Sequence, residues 1–383
     1  MLEASQSRCV THAAIAPEVS RAHAPASAPS VRMALWIPAI VVSMAYPLAL
    51  RSFVAGVHAA QTDAGAARAL WALGAFMMLA LALAAPVLSL RALYAIRRDT
   101  SAGAIAVRRL LHLGVAVPPF YLLCIRVAGI GSLLGNTTSG FIVWWGGWIV
   151  LSALACNAGR AAAAPTELER AGPERELPIR FLSTVTGRSR RIHRIAVVAV
   201  LATFLVAHLA NHVFAAWSIP AQRTVMLALR AWYRAIWMEP LILALLVVAA
   251  LTGLLRLGRL TRSQSDGFRV LQTASGCYLA LFLVSHIWAT LSARYHGIDT
   301  DWAFASGGKA GMLATGVAAG VLLYYVFSLL AVATHAALGL RMVLLSRRVR
   351  ILAANRSAKL VFALGSAMSA LIVAALLGLR LGG

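Results

Sequence analysis

Nine apolar segments, each near or above the length of a bilayer crossing, constrain this chain of 383 residues more than any other feature. They lie at about 34–56, 69–90, 110–134, 140–159, 195–217, 236–255, 270–292, 311–340 and 359–379. An α-helix needs about 20 apolar residues to span the hydrocarbon core of a membrane. Within that core the backbone finds no water to pair with, so each segment must satisfy its own amides as a helix. The expected fold is therefore all-α, a polytopic integral membrane protein of about nine transmembrane helices. Composition agrees, since only 12% of the residues are charged, against roughly 25% in soluble domains.

The basic residues order these helices. With the N-terminus in the cytoplasm, the tail and the loops at 91–109, 160–194, 256–269 and 341–359 carry 26 of the 35 Arg and Lys residues. Eight fall on the opposite face and Arg126 falls within a span. That alternation follows the positive-inside rule and fits nine crossings. The formal charge of +23 is thus expected to flank membrane spans and contact lipid; no basic, aromatic-interleaved soluble domain suggests a nucleic-acid partner. Arg outnumbers Lys 33 to 2, as in GC-rich bacterial genomes, and the expected location is a bacterial inner membrane. Cys9, Cys124, Cys156 and Cys277 form no CxxC pair, so neither a disulfide framework nor a zinc or iron–sulfur site is expected.

Four regions follow. Residues 1–32, rich in Ala, Ser and Pro, are expected to form a disordered N-terminal tail. Residues 33–160 form a four-helix membrane region without a legible role. Residues 161–194 form a cytoplasmic linker, and 195–383 a five-helix membrane domain.

Histidines mark that last region. A polar side chain within a span carries a free-energy cost and usually has a function. At 1.5 Å per residue, His208 lies about 20 Å into the fifth span and His286 about 24 Å into the seventh, both counted from the cytoplasm. Two imidazoles at matching heights on facing helices can hold a haem iron from both sides. His212 is one turn above His208 on the same helix and is expected to be a supporting or interfacial group. His58 and His112 read as interfacial. The alternative for any of these residues is a histidine hydrogen-bonded between helices.

The stretches Arg190-Arg-Ile-His193, Phe204-Leu-Val-Ala-His208-Leu209, Glu239, Leu271-Gln-Thr-Ala-Ser-Gly276 with His286-Ile-Trp288, and His335-Ala-Ala-Leu-Gly339 come in an order and spacing that resembles a known family. It is the cytochrome b membrane subunit of succinate dehydrogenases and fumarate reductases, of the single-chain five-helix type. The resemblance covers roughly residues 190–380. It implies a haem-binding helix bundle with an outer b haem on His208 and His286, and His335 as one ligand of an inner haem. It also implies quinone as a redox partner and flavoprotein and iron–sulfur subunits as companions. The second inner ligand should stand near Ala249 or Ala250, where no histidine occurs. His193 lies near the start of the fifth span, some two turns away in depth, and is not assigned to that role. One haem b per chain is expected, with His335 a packing residue or the sole ligand of a weaker site.

Two further groups join the candidate site. Glu239, beside Pro240 at the outer end of the sixth span, can meet a quinone or simply begin a helix. Arg126, in the outer half of the third span, can pair with a haem propionate or a quinone oxygen, or snorkel to the interface. The function these features suggest is a non-catalytic, membrane-anchored electron-transfer subunit. Its alternative is a haem-free membrane scaffold or transporter on the same fold.

Overall fold

The computed structural model describes residues 33–133, 140–161, 179–262, 266–308, 311–313 and 318–381. The tail expected at 1–32 lies outside them. The described residues are helical almost throughout, as α1 (Met33–Thr62), α2 (Gly65–Ala95), α3 (Ala102–Val115), α4 (Val117–Leu133), α5 (Gly140–Ala161), α6 (Ile179–Val200), α7 (Val206–Trp217), α8 (Ile219–Tyr233), α9 (Met238–Leu260), α10 (Gly267–Tyr295), the short α11 (Trp302–Ala305), α12 (Ala318–Ser346) and α13 (Ile351–Leu376). Local chemistry starts several of them. The Ser101 hydroxyl accepts from the amide of Ala104, that of Ser218 from Ala221, and the Asp266 carboxylate from Phe268, each satisfying an orphan donor of a first helical turn.

Among the described residues, eight helices are long and apolar enough to cross a membrane. The expected third span differs from the rest: α3 and α4 meet at Ala116 with a bend of 81°. Pro118 and Pro119 immediately follow this break. Proline lacks the amide that would continue α3, yet suits the first turn of a new helix. The expected linker also differs, because α6 is already helical from Ile179 and continues into the membrane segment; residues 162–178 lie outside the described set.

A π turn, Leu201–Leu205, joins α6 to α7. Thr203 donates its hydroxyl back to the carbonyl of Ala199 at 2.8 Å, a bond that tends to bend helices. The carbonyl of Thr203 instead takes the indole N–H of Trp232 at 3.4 Å. Such turns insert a residue and recur at functional sites.

The core of the first five helices surrounds Trp144 and Trp148, both fully buried, and extends to Val270 and Ala274 of α10 and Leu323 of α12. Both Trp144 and Trp145 donate indole N–H groups to the carbonyl of Met44, at 3.0 and 3.1 Å, beside the interruption that Pro47 makes in α1. His112, expected at the interface, is fully buried in α3, where its Nδ1 lies 2.5 Å from the carbonyl of Arg108.

Arg108 is also fully buried and ties two connections together. Its guanidinium donates to the carbonyls of Thr261 at 2.7 Å, Arg262 at 3.1 Å, Ile96 at 2.7 Å and Asp99. Nearby, Tyr94 donates its hydroxyl to the carbonyl of Gly267 at 3.0 Å. The turn after α2 and the turn after α9 therefore lie side by side. At the far ends of the helices, Arg294 and Glu239 form a two-pronged ion pair, with the second contact at 3.2 Å. Arg230 meets Asp299 at 2.8 Å.

Candidate functional site

A cavity of about 1070 Å³ opens among α6, α7, α9, α10 and α12, slightly beyond the roughly 300–1,000 Å³ of small-molecule pockets. Its walls are chiefly apolar, with Leu201, Leu246, Leu283, Ile287 and Leu329 among them. Set into those walls are five histidines: His193, His208, His212, His286 and His335. The sequence distributes them over α6, α7, α10 and α12, and packing turns all five toward one space.

The outer group contains the pair expected from the sequence. His208 on α7 and His286 on α10 face each other with ring centres 6.4 Å apart. Each is backed by an aromatic residue one turn earlier: Phe204 stacks on His208 at 4.8 Å and Phe282 on His286 at 5.0 Å. A side chain four residues away shares the same helical face, so these stacks restrict both imidazoles from within their own helices. Tyr325 approaches His286 from α12 at 6.5 Å.

His212 stands 4.8 Å from His208 and 5.8 Å from Trp302 of α11. Its Nδ1 is buried without a hydrogen-bond partner. Of the two expected places, supporting group or interface, His212 takes the first: it lines the cavity beside His208, against Trp302 of the short helix α11. Asn211 and Gln222, both buried, add a polar patch at this end through an amide contact of 3.4 Å. Neither residue stands out in the sequence, where each is one amide among many.

The inner group was only half foreseen. His335 on α12 approaches Gln272 and Ser275 of α10. Its Nδ1 lies 3.2 Å from the carbonyl oxygen of Gln272 and 3.3 Å from the Ser275 hydroxyl. A β-carbon built on Gly276 would fall 2.9 Å from Cε1 of His335, so the absence of a side chain there makes room for the ring. His193 was not assigned to this site, yet it lies against the small-residue face of α9. Its Nδ1 is 3.0 Å from the carbonyl of Ala249 and 3.1 Å from the Thr252 hydroxyl. A β-carbon on Gly253 would stand 3.4 Å from its Cε1.

Charged groups line both ends. Arg190, Arg194, Arg256, Arg269 and Arg341 border the end near His193 and His335, while Arg234, Arg294 and Glu239 border the end near His208 and His286. Glu239 is held by Arg294. Arg126 is an exposed residue of α4 and does not line the cavity, so the structure does not bring it to the histidines.

Two fit tests bear on a haem. An iron bound by two imidazoles on opposite sides, with metal–nitrogen bonds of about 2 Å, holds the ring centres roughly 6 Å apart. The 6.4 Å between His208 and His286 fits that separation. The cavity adds an apolar volume bordered by arginines, which suit a macrocycle with carboxylate substituents. Among the described residues, no three or more His, Cys, Asp or Glu side chains gather as a metal site. An iron here would depend on paired imidazoles together with the nitrogens of its own macrocycle.

No family model, curated protein or solved structure matches this chain.

Proposed function

We propose that this polytopic membrane protein is an electron-transfer subunit holding haem b between His208 and His286, in the manner of the cytochrome b subunits that its second half resembles. The observation carrying the reading is the 6.4 Å approach of these two imidazoles across an apolar cavity. When bound, haem supplies reversible one-electron exchange, chemistry that the side chains themselves lack.

The chain's own residues have separate tasks. His208 and His286 supply one nitrogen donor each, while Phe204 and Phe282 hold their rings in place. Leu246, Leu283 and Leu329 exclude water from the apolar wall. Arg234 and Arg294, at the outer rim, offer fixed cationic donors to a carboxylate or to the oxygen of a quinone. Glu239, oriented by Arg294, stands at the same rim as an acceptor for a quinol proton. A flavoprotein and an iron–sulfur protein remain the partner classes implied by the resemblance.

We also infer nine crossings, with the bent α3–α4 pair counted as one, in a bacterial inner membrane with the N-terminus inside. The supporting contact is Arg108, which joins the turn after α2 to the turn after α9. Those turns can share a membrane face only if an even number of crossings separates them. Here α5, α6–α7 and α9 supply three, so the bent pair makes the fourth. The same parity supports one shared face for the arginine-rich segments, and the positive-inside rule favours the cytoplasm for that face.

A second reading, a haem-free scaffold or transporter, draws on the lack of a three-ligand cluster among the described residues. The cavity would then receive an apolar solute. Difference spectroscopy separates the two readings: the purified protein should show a b-type spectrum, and either His208→Ala or His286→Ala should remove a low-spin component. A spectrum unaltered in both variants would eliminate the assignment.

A further inference from the structure

Three arginines at the cavity mouth near His193 lack the partners that other arginines of the chain have found. Arg190 and Arg194 stand four residues apart on α6, a spacing that puts them on one face. Arg256 of α9 lies close enough to sense both charges. All three line the cavity. Among the described residues, none of the three joins an ion pair. Elsewhere the charge is met from within the chain. Arg294 has Glu239, Arg230 has Asp299 and Arg341 has Asp266, while Arg234 donates to the Thr300 hydroxyl at 2.9 Å. Like charges four residues apart repel, and Arg256 is half-buried, so this cluster calls for an anion from outside the chain.

The walls behind the mouth narrow the choice of anion. Val197 and Leu201 continue the cavity along α6, and Ala250 and Leu246 continue it along α9. A free anion would leave these apolar surfaces uncovered, and an uncharged apolar solute would leave the arginines unpaired. An amphiphile with an anionic head satisfies both.

We propose that this mouth binds one anionic phospholipid, with its phosphate diester held by Arg190, Arg194 and Arg256 and an acyl chain lying in the cavity. The guanidinium fork matches the oxygens of a phosphate, and basic pockets between transmembrane helices recur as sites for anionic lipid headgroups. The depth also suits. Arg194 and His208 are fourteen residues apart, roughly 21 Å along the helix at 1.5 Å per residue. One acyl chain covers half of the hydrocarbon core, about 15 Å, and therefore ends short of the pair His208 and His286. The site is thus independent of the haem reading, and its failure would leave that reading standing.

The test titrates full-length protein, delipidated in a non-ionic detergent, with dioleoyl phosphatidylglycerol, and counts bound lipid by native mass spectrometry. The expected result is saturable binding of one lipid per chain. Changing Arg190, Arg194 and Arg256 together to Gln should weaken it by at least about tenfold, the worth of one charge-assisted hydrogen bond. Phosphatidylcholine with the same chains and short-chain dihexanoyl phosphatidylglycerol should both bind more weakly. Arg256→Lys keeps the charge and should bind more tightly than Arg256→Gln, a comparison that remains if the triple variant folds poorly. Arg347→Gln combined with Arg348→Gln lies outside the cavity and should leave binding unchanged. Uptake without saturation, or an equal loss in the Arg347 and Arg348 variant, would reduce the cluster to a general basic surface and overturn the site. Full competition by inorganic phosphate would make it a free-anion site and overturn the lipid. Binding that requires Glu167, Glu169, Glu174 and Glu176 to be changed to Gln would give the arginines to that preceding segment and overturn it as well.

Discussion

Replacing Arg108 with methionine tests how the two halves of the chain are joined. The side chain is fully buried, and its guanidinium donates to four carbonyls contributed by the turns after α2 and α9. Hydrogen bonds from charged donors contribute about 1.5–3 kcal/mol each. Four at the lower bound give about 6 kcal/mol. About half of that survives if the released carbonyls regain water near the membrane face, so Arg108→Met should cost about 3 kcal/mol. For large domains each kcal/mol corresponds to about 2–4 °C in melting temperature, hence a fall of about 6–12 °C in detergent. Arg108→Lys should lie between the two, because one ammonium cannot reproduce the guanidinium fork. Thermal unfolding followed by thiol-reactive fluorescence reports these shifts, with Cys124 and Cys277 buried in the native state. A loss below 1 °C for Arg108→Met would refute the claim that this side chain clamps the two turns.

Reporter fusions at 175 and 350 should read cytoplasmic, and those at 300 and the C-terminus periplasmic. A periplasmic readout at 175 would mean that the bent α3–α4 pair re-enters its starting face. Gly365 of α13 packs against α12 so closely that a β-carbon would lie 2.7 Å from Cβ of Ala333. Gly365→Ala should therefore cost about 1–3 kcal/mol through overpacking, seen as a lower melting temperature; an unchanged melting curve would show that the helices separate freely.

Much of the architecture could be read from residue order because a membrane permits few backbone solutions. Long apolar segments must become helices, and arginines mark their ends. The break at Ala116 was also written locally, in Pro118-Pro119, although hydropathy alone runs through it. The π turn had no comparable mark: Thr203 is one β-branched residue among several, and its effect depends on Trp232 from another helix. His208 and His286 were recognisable because each interrupts an apolar run at the same depth. His193 is set aside in the sequence because it lies some two turns of depth from the position expected for an inner ligand. Depth along a helix also says nothing of how far a side chain reaches across its neighbour. The recess that receives it comes from Ala249 and Gly253, whose importance emerges only when α6 packs on α9.

The central claim is tested most directly by a dithionite-reduced minus oxidised spectrum of the purified full-length protein and its His208→Ala and His286→Ala variants. The account predicts the sharp α-band of low-spin b haem, with the same component missing from both variants. Protein that is folded, supplied with haem during expression and free of that band would contradict it.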